Sequence, residues 1–165
     1  MTARTLLLGL ALACTPTPYI RPLSLTSTVP LPPRTTNDSV ISTVLERVAL
    51  SGLPDWHPRR QIIIQNDSGV VSAFSLPQLD SVTFVVLTGA QIQQAANHDG
   101  HLNVLTVTRP TVNADTATAS ATSHWVWQQR PDRIGMMGSM SACGWRLRRL
   151  NGAWQIDSAF LCLIT

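Results

Sequence analysis

The chain reads as an α+β domain, a curved antiparallel sheet of about four to six strands packed on one or two helices in a cone-like arrangement. Three observations predict this. A helix-period apolar stripe opens the domain, alternating apolar and polar residues fill most of its second half, and Asn151-Gly152 separates two strand-like runs at the end.

The opening stripe is Val40, Ile41, Val44, Leu45 and Val48, which share one face at helical spacing. Asn37, Asp38 or Ser39 supplies an N-cap, and Gly52 and Pro54 stop the helix. RQIIIQ and VVSAFS then flank Asn66-Asp67-Ser68-Gly69, a four-residue turn that predicts a hairpin. SVTFVVL is compatible with a strand or a buried helix, and GAQIQQAAN predicts a short helix ended by Asp99-Gly100. Strands are expected at 102–112, 116–128, about 136–149 and 153–164. In the second of these, Ala117, Ala119, Ala121, Trp125 and Trp127 share one face, and Thr116, Thr118, Ser120, Thr122 and His124 point the other way.

Asn151-Gly152 suits a two-residue type I′ turn. With that loop Leu150 faces Ala153 and Arg146 faces Asp157, an opposite-charge pair that favours the register. Cys143, Trp145, Leu147, Trp154, Ile156, Phe160 and Cys162 then form the buried face, and Arg146, Arg148, Gln155 and Asp157 the wetter one. In this register Cys143 and Cys162 are diagonal neighbours, with Cβ atoms up to roughly 7–8 Å apart, where a disulfide needs about 3.5–4.5 Å. A bulge, or a longer loop that sacrifices the Arg146–Asp157 pair, brings them opposite. A disulfide and two buried thiols both remain open.

Ahead of the domain, Arg4 precedes the apolar run Leu6 to Ala13, and Ala11 and Ala13 lead into Cys14, which is the layout of a bacterial export signal over residues 1–14. Leu10-Ala11-Leu12-Ala13-Cys14 is similar to a lipobox, which predicts lipidation of Cys14 and a membrane partner through that anchor. Ordinary cleavage after Ala13 is the alternative. The run is shorter than the about 20 residues that span a bilayer. Residues 15–36 hold six Pro and no Gly, which predicts a semi-rigid spacer reaching at most about 65 Å. A single α+β domain is expected over 37–165.

The order of helix, hairpin, short helix and long meander, closed by Gly144-Trp145-Arg146-Leu147-Arg148-Arg149, Asn151-Gly152 and Trp154-Gln155-Ile156, resembles the ketosteroid isomerase and nuclear transport factor 2 (SnoaL-like) superfamily. The resemblance implies a sheet wrapped around helices as a cone, with a pocket at the wide end. An Asp or an Asp/His pair works in that pocket in the family's enzymes, and no residue of this chain matches such a pair by motif.

All twelve cationic residues are Arg, and they form no stripe, which argues against a nucleic-acid partner. Glu46 falls on the polar side of the first helix. His98 and His101 flank Asp99-Gly100 in an expected turn, where solvated loop residues are the simpler reading. Zinc spacing, a Gly-x-Ser-x-Gly elbow and nucleotide fingerprints are missing from the sequence, so neither a metal nor another cofactor is implied. His124, beside Trp125 and Trp127, is the one candidate catalytic base, against the simpler reading of a residue on a wet strand face. Trp125, Trp127, Met136 and Met137 are the candidate pocket liners, since aromatics and Met offer adaptable apolar surface. The same four serve equally as ordinary core.

The leading expectation is an exported, lipid-anchored, non-catalytic domain of the bacterial envelope, periplasmic or outer-surface, that binds a small hydrophobic ligand or an envelope protein. A cone-type isomerase or dehydratase acting on a hydrophobic substrate is one alternative. A surface assembly component is the other, and an exposed apolar sheet face would favour it.

Overall fold

The computed structural model describes residues 34–54, 56, 60–129 and 140–164, all within one unit that runs from Leu31 to Thr165. The export signal, Cys14, the spacer up to Pro33, His57, Met136 and Met137 lie outside the described residues.

Helix α1 spans Thr36–Ser51 and buries all five residues of the predicted stripe. Its N-cap is Thr35 rather than a residue from 37 to 39. Asp38 sits three positions into the helix, where its carboxylate accepts from the Thr35 backbone N–H while the Thr35 hydroxyl accepts from the Asp38 N–H. That reciprocal capping box satisfies two end donors at once and displaces the later start.

The sheet is open and curved, and its strands run in the order β2-β1-β3-β5-β6-β7. They are β1 (Gln61–Gln65), β2 (Thr83–Leu87), β3 (His101–Val107), β5 (Thr116–Trp127), β6 (Ser141–Leu150) and β7 (Ala153–Ile164), with the short β4 (Thr111–Asn113) paired to β5. From β3 to β7 the pairing is antiparallel, and the chain is α+β as predicted. The expected hairpin after β1 does not form. Both edges of β1 are taken by parallel neighbours, β2 and β3. The turn itself exists, clamped by the Asn66 side chain, which bonds both the N–H and the C=O of Val71. Beyond it Ser72 caps a 3-10 turn at Ala73–Ser75 and turns the chain away from β1. Ser side chains that bond nearby backbone offer such an alternative to a ladder. SVTFVVL resolves as strand β2, and helix α2 (Gly89–Asp99) carries the chain across to β3. The expected strand 102–112 is broken at Thr108–Pro110, where proline removes a backbone donor.

Each face of the sheet has its own helix. Ile62, Ile64, Leu105, Val107, Ala117, Ala119, Ala121, Trp145, Leu147 and Trp154 join α1 in the main core. Val104 points the other way, and it is buried outside that core, as are Ile92 and Ala96 of α2. α2 packs against β3 and β5 on this second face.

The last hairpin turns at Asn151-Gly152, both at positive φ, with Leu150 opposite Ala153. Two register shifts then alter the predicted pairing. The first leaves Asp157 without a partner and sets Ser158, not Asp157, opposite Arg146. The second does the same to Phe160, whose ring lies on the outer face against Gly144 rather than in the core. A Cβ at Gly144 would meet the end of that ring at 2.6 Å, so a larger residue here would push the exposed Phe160 ring aside. Together the two shifts set Cys143 directly opposite Cys162, and the structure joins them in a disulfide.

Candidate functional site

The inner face, on which α1 packs, continues along β5 past Ala121 and Ser123 to Trp125 and Trp127. There the partners across β3 are Asn103 and His101. The three rings cluster. His101 lies 5.2 Å from Trp125 and 5.2 Å from Trp127, and the two indoles are 6.2 Å apart, all tilted. These separations are within the range of attractive edge and offset contacts. None of the three belongs to the main core. Trp127 is 38% exposed, His101 is exposed and Trp125 is half-buried. Next to Trp125 the Asn103 Oδ1 is buried with no hydrogen-bond partner. One row further in, Ser123 and Ser141 face each other, both buried.

Strand alternation aims these side chains, and α2 holds the end of β5 in place. Gln93 Nε2 donates to the Trp127 carbonyl at 2.9 Å, the Gln128 backbone N–H donates to the Gly100 carbonyl, and Asn97 Oδ1 accepts from the Gln129 N–H at 2.8 Å. α2 is itself started by a Thr88/Gln91 capping box, and Asp67 Oδ1 accepts from the Gly89 N–H at its first residue. Asp67 is correspondingly more acidic than usual, through bonds from Gln65 and then Gly89.

Of the predicted site residues, Trp125 and Trp127 come together on the inner face. His101, expected in a solvated turn, is the first residue of β3 and joins them. It does so through the β3–β5 register, which sets His101 opposite Trp127 and which the local sequence leaves open. His98 occupies the last turn of α2, 2.7 Å from Asp99 and exposed. His124 stands apart from the rings. It pairs with Val104 on the α2 face, half-buried rather than wet. Burial there disfavours the imidazolium and lowers its pKa.

The most perturbed carboxyl is Asp38, which is buried. Burial alone would raise its pKa. Bonds from the Ser72 hydroxyl (2.5 Å), from Thr35 and from the Ser75 hydroxyl (2.7 Å) outweigh that and hold it far below its ordinary value. A carboxylate this acidic is a poor base at neutral pH, and its oxygens are occupied in tying α1 to the 3-10 turn. Among the described residues no group of three or more His, Cys, Asp or Glu is placed to hold a metal ion, and no helix is long and apolar enough to cross a membrane. Comparison of the chain with protein-family models, with curated proteins and with solved structures finds no match.

Proposed function

We propose that this is an exported, lipid-anchored envelope domain that binds a small, flat, largely apolar ligand on the His101–Trp125–Trp127 cluster without turning it over. The ring cluster carries this reading. Two indoles and an imidazole gathered outside the core, one of them 38% exposed, form an apolar surface with few polar groups beside it, the usual make-up of a ligand site. Export and anchoring rest on the Arg4 to Cys14 segment. The inner face is also where the resemblance of the last hairpin to the SnoaL-like superfamily implies a pocket. His124 faces the opposite side of the sheet, so it would not serve as base for a substrate lying on these rings. A panel of hydrophobic ligands followed by Trp emission and thermal shift tests the reading. A saturable response that Trp127→Ala abolishes is expected. A panel with no saturable response contradicts it.

One observation favours a second reading, a surface assembly component. β7 is an edge strand, and Ser158–Ile164 carries no charge, Pro or Gly. Phe160, Leu161, Leu163 and Ile164 are each about half exposed. Proteins normally blunt such edges with charge or proline, and an uncovered one pairs readily with another extended strand. Under this reading sedimentation shows concentration-dependent oligomers that Leu161→Lys with Leu163→Lys dissolves, and a monomer at all concentrations removes it.

A further inference from the structure

The outer face of β4, β5 and β6 holds a second polar arrangement that the ring cluster does not use. Thr111, Thr118 and Arg146 are partners across the three strands in one lateral row, and Asn113, Thr116 and Arg148 form the next. Neighbouring strands are about 4.8 Å apart and the rows about 7 Å apart, two residues along a strand. The six side chains thus form a grid over an open groove of about 370 Å³. Every member is cationic or can donate a hydrogen bond, although the Thr116 hydroxyl already donates to the Asn113 carbonyl.

Both guanidinium groups are exposed and unpaired. Among the described residues the one ion pair is His98–Asp99. Asp157 is the natural partner of Arg146 in an unbroken hairpin, and the bulge removes it from the opposing position. It lines the groove without an ion pair to either arginine. The fold therefore undoes the neutralising contact that the sequence offers and leaves two forked cations on one face.

We infer that this groove binds a phosphate-bearing group. Guanidinium forks match tetrahedral oxyanions two oxygens at a time. Two side chains this far apart can converge on one phosphate, with the Thr118 and Thr111 hydroxyls and the Asn113 amide supplying further donors. A carboxylate offers two oxygens and satisfies one fork. The phosphate is either a free small anion or the headgroup of an anionic lipid, and the chemistry of recognition is the same.

The test uses the full chain. Inorganic phosphate is titrated at constant ionic strength while the Arg side-chain N–H resonances are followed, with chloride as the control. Saturable shifts confined to Arg146 and Arg148 are expected, weakened about tenfold or more by either Arg146→Gln or Arg148→Gln, since each removes charge-assisted bonds. Asp157→Asn should tighten binding, because it removes the one negative charge in the groove. In a parallel arm, cosedimentation is compared between phosphatidylcholine vesicles and vesicles with roughly one phosphatidylglycerol in five. Extra binding to the anionic vesicles that the double Arg variant loses identifies the headgroup as the source. Phosphate shifts without that difference identify the free anion. Equal responses to phosphate and chloride, or shifts that spread equally to Arg149 and Arg47, overturn the inference. Thr118→Val keeps both charges, so a loss of binding there separates a built site from simple charge attraction.

Discussion

The buried Asp38 and the half-buried His124 both have lowered pKa values, for opposite reasons. His124 is lowered because burial penalises its cation, and Asp38 because hydroxyl donors reward its anion despite burial. In both cases the unfolded chain binds more protons than the folded one as pH falls, so acid destabilises through each. The His124 contribution is intact above about pH 6.5 and declines below it. The Asp38 contribution holds down to about pH 4 and is lost progressively below that. Denaturant melts against pH should show two declines, the upper one absent in His124→Gln and the lower one reduced in Asp38→Asn. Asp38→Ala should cost about 2–3 kcal/mol at neutral pH, since it strands four donors to a charged acceptor. Part of this was visible in the sequence. Asp38 was a cap candidate and its reciprocal bonds with Thr35 are local, whereas the hydroxyls of Ser72 and Ser75 that bond its other oxygen come from more than thirty residues away. His124 read as wet because strand alternation names a face and not what covers it, and α2 supplies the cover.

Among the elements, α1 was legible because its signal is local, five apolar residues at one period. The β1 pairing was not, although a trace was present. Ile62-Ile63-Ile64 has no alternation, the pattern of a strand between parallel neighbours with cover on both faces; here Ile62 and Ile64 are buried and Ile63 half-buried. The local turn residues at 66–69 are genuine, yet which strand fills the edge of β1 is settled by α2 returning the chain to β3. The last hairpin shows the same division. Asn151-Gly152 sets the turn; β7 has its predicted limits, while β6 begins at Ser141 rather than near 136. The two bulges answer to nonlocal needs: the Phe160 ring against Gly144 and the disulfide. Trp145 and Trp154 are buried on the α1 face, so Trp154→Ala should cost about 3–5 kcal/mol. A loss under about 1 kcal/mol would show that this face is not the core. Replacing Cys143 and Cys162 together by Ser should cost about 3 kcal/mol, the chain-entropy value for a loop of this length, read as a lower denaturation midpoint.

At the scale of the whole molecule, two helices cover opposite faces of one sheet. Trp125 and Trp127 lie outside the core cluster that α1 joins, and α2 fixes the strand end that carries them. Two of the ring residues were legible from the alternation of β5. The third, His101, needed the β3 register, which no local pattern encodes. The central claim is that these rings are a binding surface and not core. Tryptophan labelled with fluorine gives five resonances for Trp56, Trp125, Trp127, Trp145 and Trp154. During titration with a ligand from the hydrophobic panel, saturable shifts should fall on Trp125 and Trp127, leave Trp145 and Trp154 in place, and vanish in Trp127→Ala. Shifts that fall on Trp145 and Trp154 while Trp125 and Trp127 stay fixed would contradict the account.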